Sequence, residues 1–97
     1  MNYTVRVELH GVKHDSEKYA ELHDEMSKQG FRRNLSINGV SYRLPTAEYS
    51  RVSSDTKEQI LGKAKTAARA VMGSDSKYSV LVTGDKNPRA HHNLEKV

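Results

Sequence analysis

His10 closes an alternating run, Tyr3-Thr4-Val5-Arg6-Val7-Glu8-Leu9-His10, and sits beside Gly11. An imidazole at a strand end is placed to give or take a proton near neutral pH, so His10 is the candidate acid or base. Arg32, Arg33 and Arg43 flank the dipeptide Asn38-Gly39, with Tyr42 and Tyr49 on or beside the same strands. Guanidinium groups grip phosphates and aromatic rings stack on unpaired bases, so these five residues are the candidate contacts for single-stranded RNA. The same residues have an ordinary reading. Strand-end histidines are commonly polar surface, edge arginines keep a sheet soluble, and the aromatic signature of the RRM sheet is missing.

The remaining histidines, His14, His23, His91 and His92, have no chelating spacing, and no H-E-x-x-H run occurs. No metal and no cofactor are expected. Serine triads, P-loops and dinucleotide glycine motifs are absent, because Gly11, Gly30, Gly39, Gly62, Gly73 and Gly84 are scattered singly.

Ninety-seven residues suit one small domain with a modest core, which excludes separate cofactor and substrate lobes. Sixteen Lys and Arg against twelve Asp and Glu leave +4, a balance that suits a polyanionic partner without demanding one. Mean hydropathy is −0.81. The chain has no cysteine, so thiolate chemistry is ruled out and a reducing compartment costs it nothing. Arg6 stands where a signal peptide would be apolar, and no run approaches the roughly 18 apolar residues of a membrane span. The expected location is the cytoplasm, away from membranes.

The elements that must hold the candidate residues follow from periodicity. Alternation over 3–9 predicts a first strand. Asp15 or Ser16 opens a helix over 16–29, with Tyr19, Leu22 and Met26 inward and Gly30 as its stop. Residues 31–37 and 40–52 form a hairpin about Asn38-Gly39, the second arm long and bent at Pro45. A second helix covers 55–72, its capping box running from Asp55 to Glu58, and a last strand covers 77–83. The first helix carries five acids against two lysines, the second four cations against two acids, so the surface is polarised.

This order predicts an α+β fold, a ferredoxin-like βαββαβ sandwich: one four-stranded antiparallel sheet with two helices on one face. Right-handed crossovers put strands one and three in the centre. The domain occupies 1–84, and 85–97, with Pro88 and little periodicity, is expected to be a flexible tail.

Three stretches carry a resemblance: residues 3–10, Tyr42-Arg43-Leu44-Pro45-Thr46-Ala47-Glu48-Tyr49, and Lys63-Ala64-Lys65 followed by Tyr78-Ser79-Val80-Leu81-Val82-Thr83. Over about residues 3–84 the chain resembles a small bacterial and phage family grouped with the GhoS-type endoribonuclease antitoxins of type V toxin-antitoxin systems. The resemblance implies a ferredoxin-like fold akin to CRISPR-associated nucleases, and RNA cleavage. Those nucleases hold a metal through an acid at the end of the first strand, where this chain has His10 and Gly11. Cleavage here would instead rest on arginine and histidine groups around a ribose 2′-OH. The competing expectation is a non-catalytic adaptor that binds another protein, or a second copy of the chain, through its sheet face or edge.

Overall fold

A computed structural model describes residues 1–85, 94, 96 and 97. Strand β1 (Asn2–Leu9) turns Tyr3, Val5, Val7 and Leu9 inward, as its alternation requires, and each is almost fully buried. It lies between β4 (Glu48–Val52) and β5 (Tyr78–Asp85), both antiparallel to it; Val5 pairs with Tyr49 on one side and Val82 on the other. Two helices, α1 (Glu17–Lys28) and α2 (Lys57–Met72), contribute Tyr19, Leu22 and Met26, and Ile60, Ala64, Ala67, Ala68 and Val71, to the same core as the inward side of β1. The class is α+β, with both helices on one face of the sheet. The other face presents Arg6, Glu8 and His10 to solvent.

Local chemistry sets the helix ends. Ser16 caps α1 by accepting from the Lys18 N–H at 3.1 Å. At its exit, Phe31 N–H donates to Met26 C=O and Gly30 N–H to Ser27 C=O, a Schellman closure that carries Phe31 into the core. The α2 capping box is Thr56 with Gln59, one residue beyond the expected Asp55–Glu58 pair. The Asp55 side chain is instead engaged with Lys63 and Arg51.

The expected single four-stranded sheet is not what forms. Strands β2 (Asn34–Ile37) and β3 (Val40–Arg43) make a separate two-stranded sheet, joined through Asn38 and Gly39 at φ of 50° and 79°, the signature of a type I′ turn. A single antiparallel bridge, Arg32 to Ser50, ties the start of this hairpin to β4. Pairing stops there: the Glu48 N–H, which would face Asn34 next, donates to the Pro45 carbonyl, the Asn34 carbonyl takes the Ser50 hydroxyl instead, and from Asn34 onward the chain pairs with β3. The long third strand is likewise two strands. Pro45 has no N–H to give a ladder, and Ala47 at φ 71° reverses the chain before β4 begins.

The expectation of a loose tail falls mostly outside the described residues. At its far end, Lys96 bridges to Tyr42 and Val97 N–H donates to Ser41 C=O at 3.0 Å. Among the described residues no helix is long and apolar enough to cross a membrane.

Candidate nucleic-acid interface

The candidate residues divide among three places. His10 stands exposed at the end of β1, its Nε2 2.8 Å from the hydroxyl of Ser79 on β5. This end of the open sheet face holds an imidazole and a hydroxyl in contact, and Glu8 pairs directly with Ser79 across the ladder. The arginines of the hairpin lie elsewhere.

Arg32 points to solvent and lines a groove of about 580 Å³ between the hairpin and the main sheet. Arg51 lines it too, with the amides of Asn2 and Asn34, the hydroxyls of Ser36, Ser41 and Ser50, and no aspartate or glutamate. Arg51 is held on three sides. Its Nη1 donates to the Gln29 carbonyl at 2.5 Å, its Nη2 lies 3.4 Å from Asp55, and its guanidinium sits 5.7 Å from the centre of the Phe31 ring. Composition pointed to Arg32 but not to Arg51, which lies in a strand of mixed character and reaches the groove only because β4 passes the end of α1.

The third place is the contact of His23 of α1 with Tyr49 of β4, with Arg33 and Arg43 of the hairpin near enough for their charge to act on the imidazole. The Arg43 Nε donates to Asn34 Oδ1 at 2.8 Å, and the Arg33 Nε is buried with no acceptor in the described protein. His23 Nδ1 is 2.6 Å from the Tyr49 hydroxyl. Burial, and then the positive charges of Arg33 and Arg43, hold the His23 imidazole below its ordinary pKa, with Asp24 opposing. Burial likewise pushes the Tyr49 phenol well above its ordinary pKa, so it stays protonated.

Tyr49 is only 1% exposed, so its ring offers no face to a base. That leaves the expected stacking role to Tyr42, which is half-buried on β3, across from Leu35 and Lys96. His23 was not singled out by its spacing to other histidines. The signal was present in a different pattern: 19, 22, 23 and 26 follow the i, i+3, i+4, i+7 rule, placing this histidine on the buried stripe of α1.

Two of the four cations of α2 are occupied. Lys63 contacts Asp55 at 2.8 Å and Arg69 grips Asp75 with two nitrogens, at 2.9 and 2.5 Å, so this helix offers less free positive charge than its composition suggests. Among the described residues no three His, Asp or Glu side chains gather in a group that could hold a metal ion. His91 and His92 lie outside the described residues. Comparison with family models, with curated proteins and with solved structures finds no match.

Proposed function

We propose that this chain binds single-stranded RNA and is a GhoS-like, ferredoxin-like endoribonuclease of the antitoxin kind. The observation that carries the reading is the groove beside the hairpin. Its walls hold the exposed Arg32 with Asn2, Asn34, Ser36 and Ser41 and no carboxylate, Arg51 on the same wall being already paired with Asp55, and its volume of about 580 Å³ suits a nucleotide unit. Such a surface attracts a phosphodiester and offers donors to a ribose or base edge. The ferredoxin-like assignment draws support from the order βαβββαβ, in which β3 and β4 stand where one long strand was expected, and from the Arg32–Ser50 bridge, which sets the start of the hairpin beside β4.

In the cleavage step, His10, at the opposite end of β1 from the groove, would exchange a proton with a ribose 2′-OH or a leaving oxygen of a strand that extends past it, while the groove holds the strand at a separate phosphate. Fluorescence anisotropy with a labelled single-stranded oligoribonucleotide across a salt series tests the binding, and mapping of cut ends with and without EDTA tests the chemistry. Affinity should fall steeply with salt, because each neutralised phosphate releases counterions. Binding no stronger than to a neutral polymer at near-physiological salt would overturn the RNA reading.

One observation favours the adaptor reading. Among the described residues no strand pairs with the outer edge of β5, and Leu81 on that strand is 64% exposed. An open edge with an exposed apolar side chain suits strand addition by another protein or a second copy. Concentration-dependent dimerisation lost on Leu81→Lys, together with no RNA binding, would select it.

A further inference from the structure

Strand β5 leaves one side of its backbone unused. Val7 N–H donates to Ala47 C=O and His10 N–H to Lys77 C=O, both at 2.9 Å, so odd residues of β1 bond towards β4 and even ones towards β5. On β5 the bonded partners are then Ser79, Leu81 and Thr83. Tyr78, Val80, Val82 and Gly84 aim N–H and C=O at the outer edge, where no bond among the described residues takes them up. Proteins usually blunt such an edge with charge, proline or a bulge. Residues 78–84, Tyr-Ser-Val-Leu-Val-Thr-Gly in unbroken register with β1, have none of these, whereas β4 at the other edge carries Glu48 and Arg51.

The edge is complementary to its own reversal. A second copy placed antiparallel about a two-fold axis must bring outward-pointing residues opposite one another. With the axis at Leu81, Tyr78 meets Gly84 and Val80 meets Val82 in both directions, so all four are paired. An axis at Val80 or Val82 leaves Gly84 or Tyr78 opposite a residue outside the strand. Leu81, 64% exposed, then faces its own counterpart as a non-hydrogen-bonded pair, the position where side chains approach most closely. On the helix face Leu61 of α2 lines a hollow of about 230 Å³ with Tyr78 and Val80, beside that axis. Glu58 and Lys65 stand about one turn to either side of Leu61, exposed and in no ion pair among the described residues. The copy's α2 runs the opposite way, so Glu58 of each chain meets Lys65 of the other.

We propose that two copies of this chain join edge to edge through β5, with Leu81 on the two-fold axis, so that two three-stranded sheets become one of six strands. The inference rests on the open edge of the adaptor reading and names its occupant. Main-chain bonds hold the strands together, the contacts of Leu81, Val80 and Val82 exclude water, and the crossed Glu58–Lys65 pairs fix direction. A strand from another protein would find the same main-chain bonds. The placing of Glu58 and Lys65 about Leu61 suits the chain's own reversal.

Sedimentation velocity over a concentration series reads the association, and, because the chain has no cysteine, single cysteines report the register. Under mild oxidation Leu81→Cys should crosslink, since a non-hydrogen-bonded pair brings its α-carbons within disulfide reach. Thr83→Cys, with its counterpart four residues further along the facing strand and about 13 Å away, should not. Lys65→Glu should weaken association about tenfold or more, and the E58K/K65E double variant should restore it, because the pairs re-form with their signs exchanged. Titrating the same samples with the oligoribonucleotide separates the readings: a dimer that also binds RNA keeps this inference while the adaptor reading fails. A chain that stays monomeric to about 0.5 mM overturns the proposal and leaves the edge to a strand of another protein. A dimer in which Thr83→Cys links as readily as Leu81→Cys, or one indifferent to Lys65→Glu, overturns it as well.

Discussion

The guanidinium of Arg51 fills the space that a β-carbon on Gly30 would need. Gly30 leaves α1 at φ 88°, and the space its missing side chain vacates admits the guanidinium that bonds the Gln29 carbonyl and covers Phe31. One glycine therefore serves the helix exit and lets β4 anchor against it, on a wall of the groove.

Gly30→Ala should consequently cost more than an ordinary left-handed alanine. The backbone strain is worth about 1–2 kcal/mol, and displacing Arg51 from a charge-assisted hydrogen bond adds roughly 1 kcal/mol more. Urea unfolding should show a loss of about 2–3 kcal/mol, and the G30A/R51A double variant should lose less than the sum of the single losses. An unchanged midpoint in G30A would refute the shared role.

Asp75 sets an acid limit on the turn that leads into β5. Hydrogen bonds from Arg69, then from Tyr78, draw its carboxyl down to about 2 from an ordinary 3.8. A carboxyl depressed in the folded state contributes fully above about pH 4, and that contribution is lost as pH falls towards 2. Asp75→Asn should flatten the fall in Tm between about pH 5 and pH 2. The side chain is half exposed, so solvent screening keeps the effect modest. If wild type and variant lose Tm in parallel over that window, the pairing contributes nothing.

His23 has the same sign at a higher pH. Its pKa is lowered from 6.5 in the folded chain, so the unfolded chain takes up the proton first and stability declines as pH falls below about 6.5. His23→Gln should remove that slope. Unfolding at pH values on either side of 6.5 checks it: a wild type equally stable at both would contradict the depressed imidazole.

His10 and Ser79 bear on the cleavage chemistry. If His10 moves a proton in the transition state, His10→Ala should slow cutting by at least about a hundredfold while RNA affinity changes little. Ser79→Ala, which frees the imidazole from its 2.8 Å contact, should slow cutting more than it weakens binding if that contact positions the ring. Equal losses in affinity and rate for His10→Ala would make it a contact rather than an acid or base.

Local rules in the sequence determined the elements. Alternation placed Tyr3, Val5, Val7 and Leu9 in the core, Gly30 and Gly73 stopped the helices, and Asn38-Gly39 closed the hairpin, because each depends on neighbours a few residues away. Tertiary structure alone decided three further matters. Among the described residues the hairpin pairs with the main sheet only at the Arg32–Ser50 bridge, since the Glu48 N–H turns to the Pro45 carbonyl and the Asn34 carbonyl takes the Ser50 hydroxyl sixteen residues on, contacts that no local pattern encodes. The burial of Tyr49 depended on which face of β4 met α1, since the chain reversal at Ala47 reset the register. The three arginines looked alike in the sequence, yet Arg32 lines the groove, Arg33 beside it does not, and Arg43, paired across the hairpin with Asn34, donates to that side chain. Side-chain direction in a sheet is set by pairing, and the pairing is long-range.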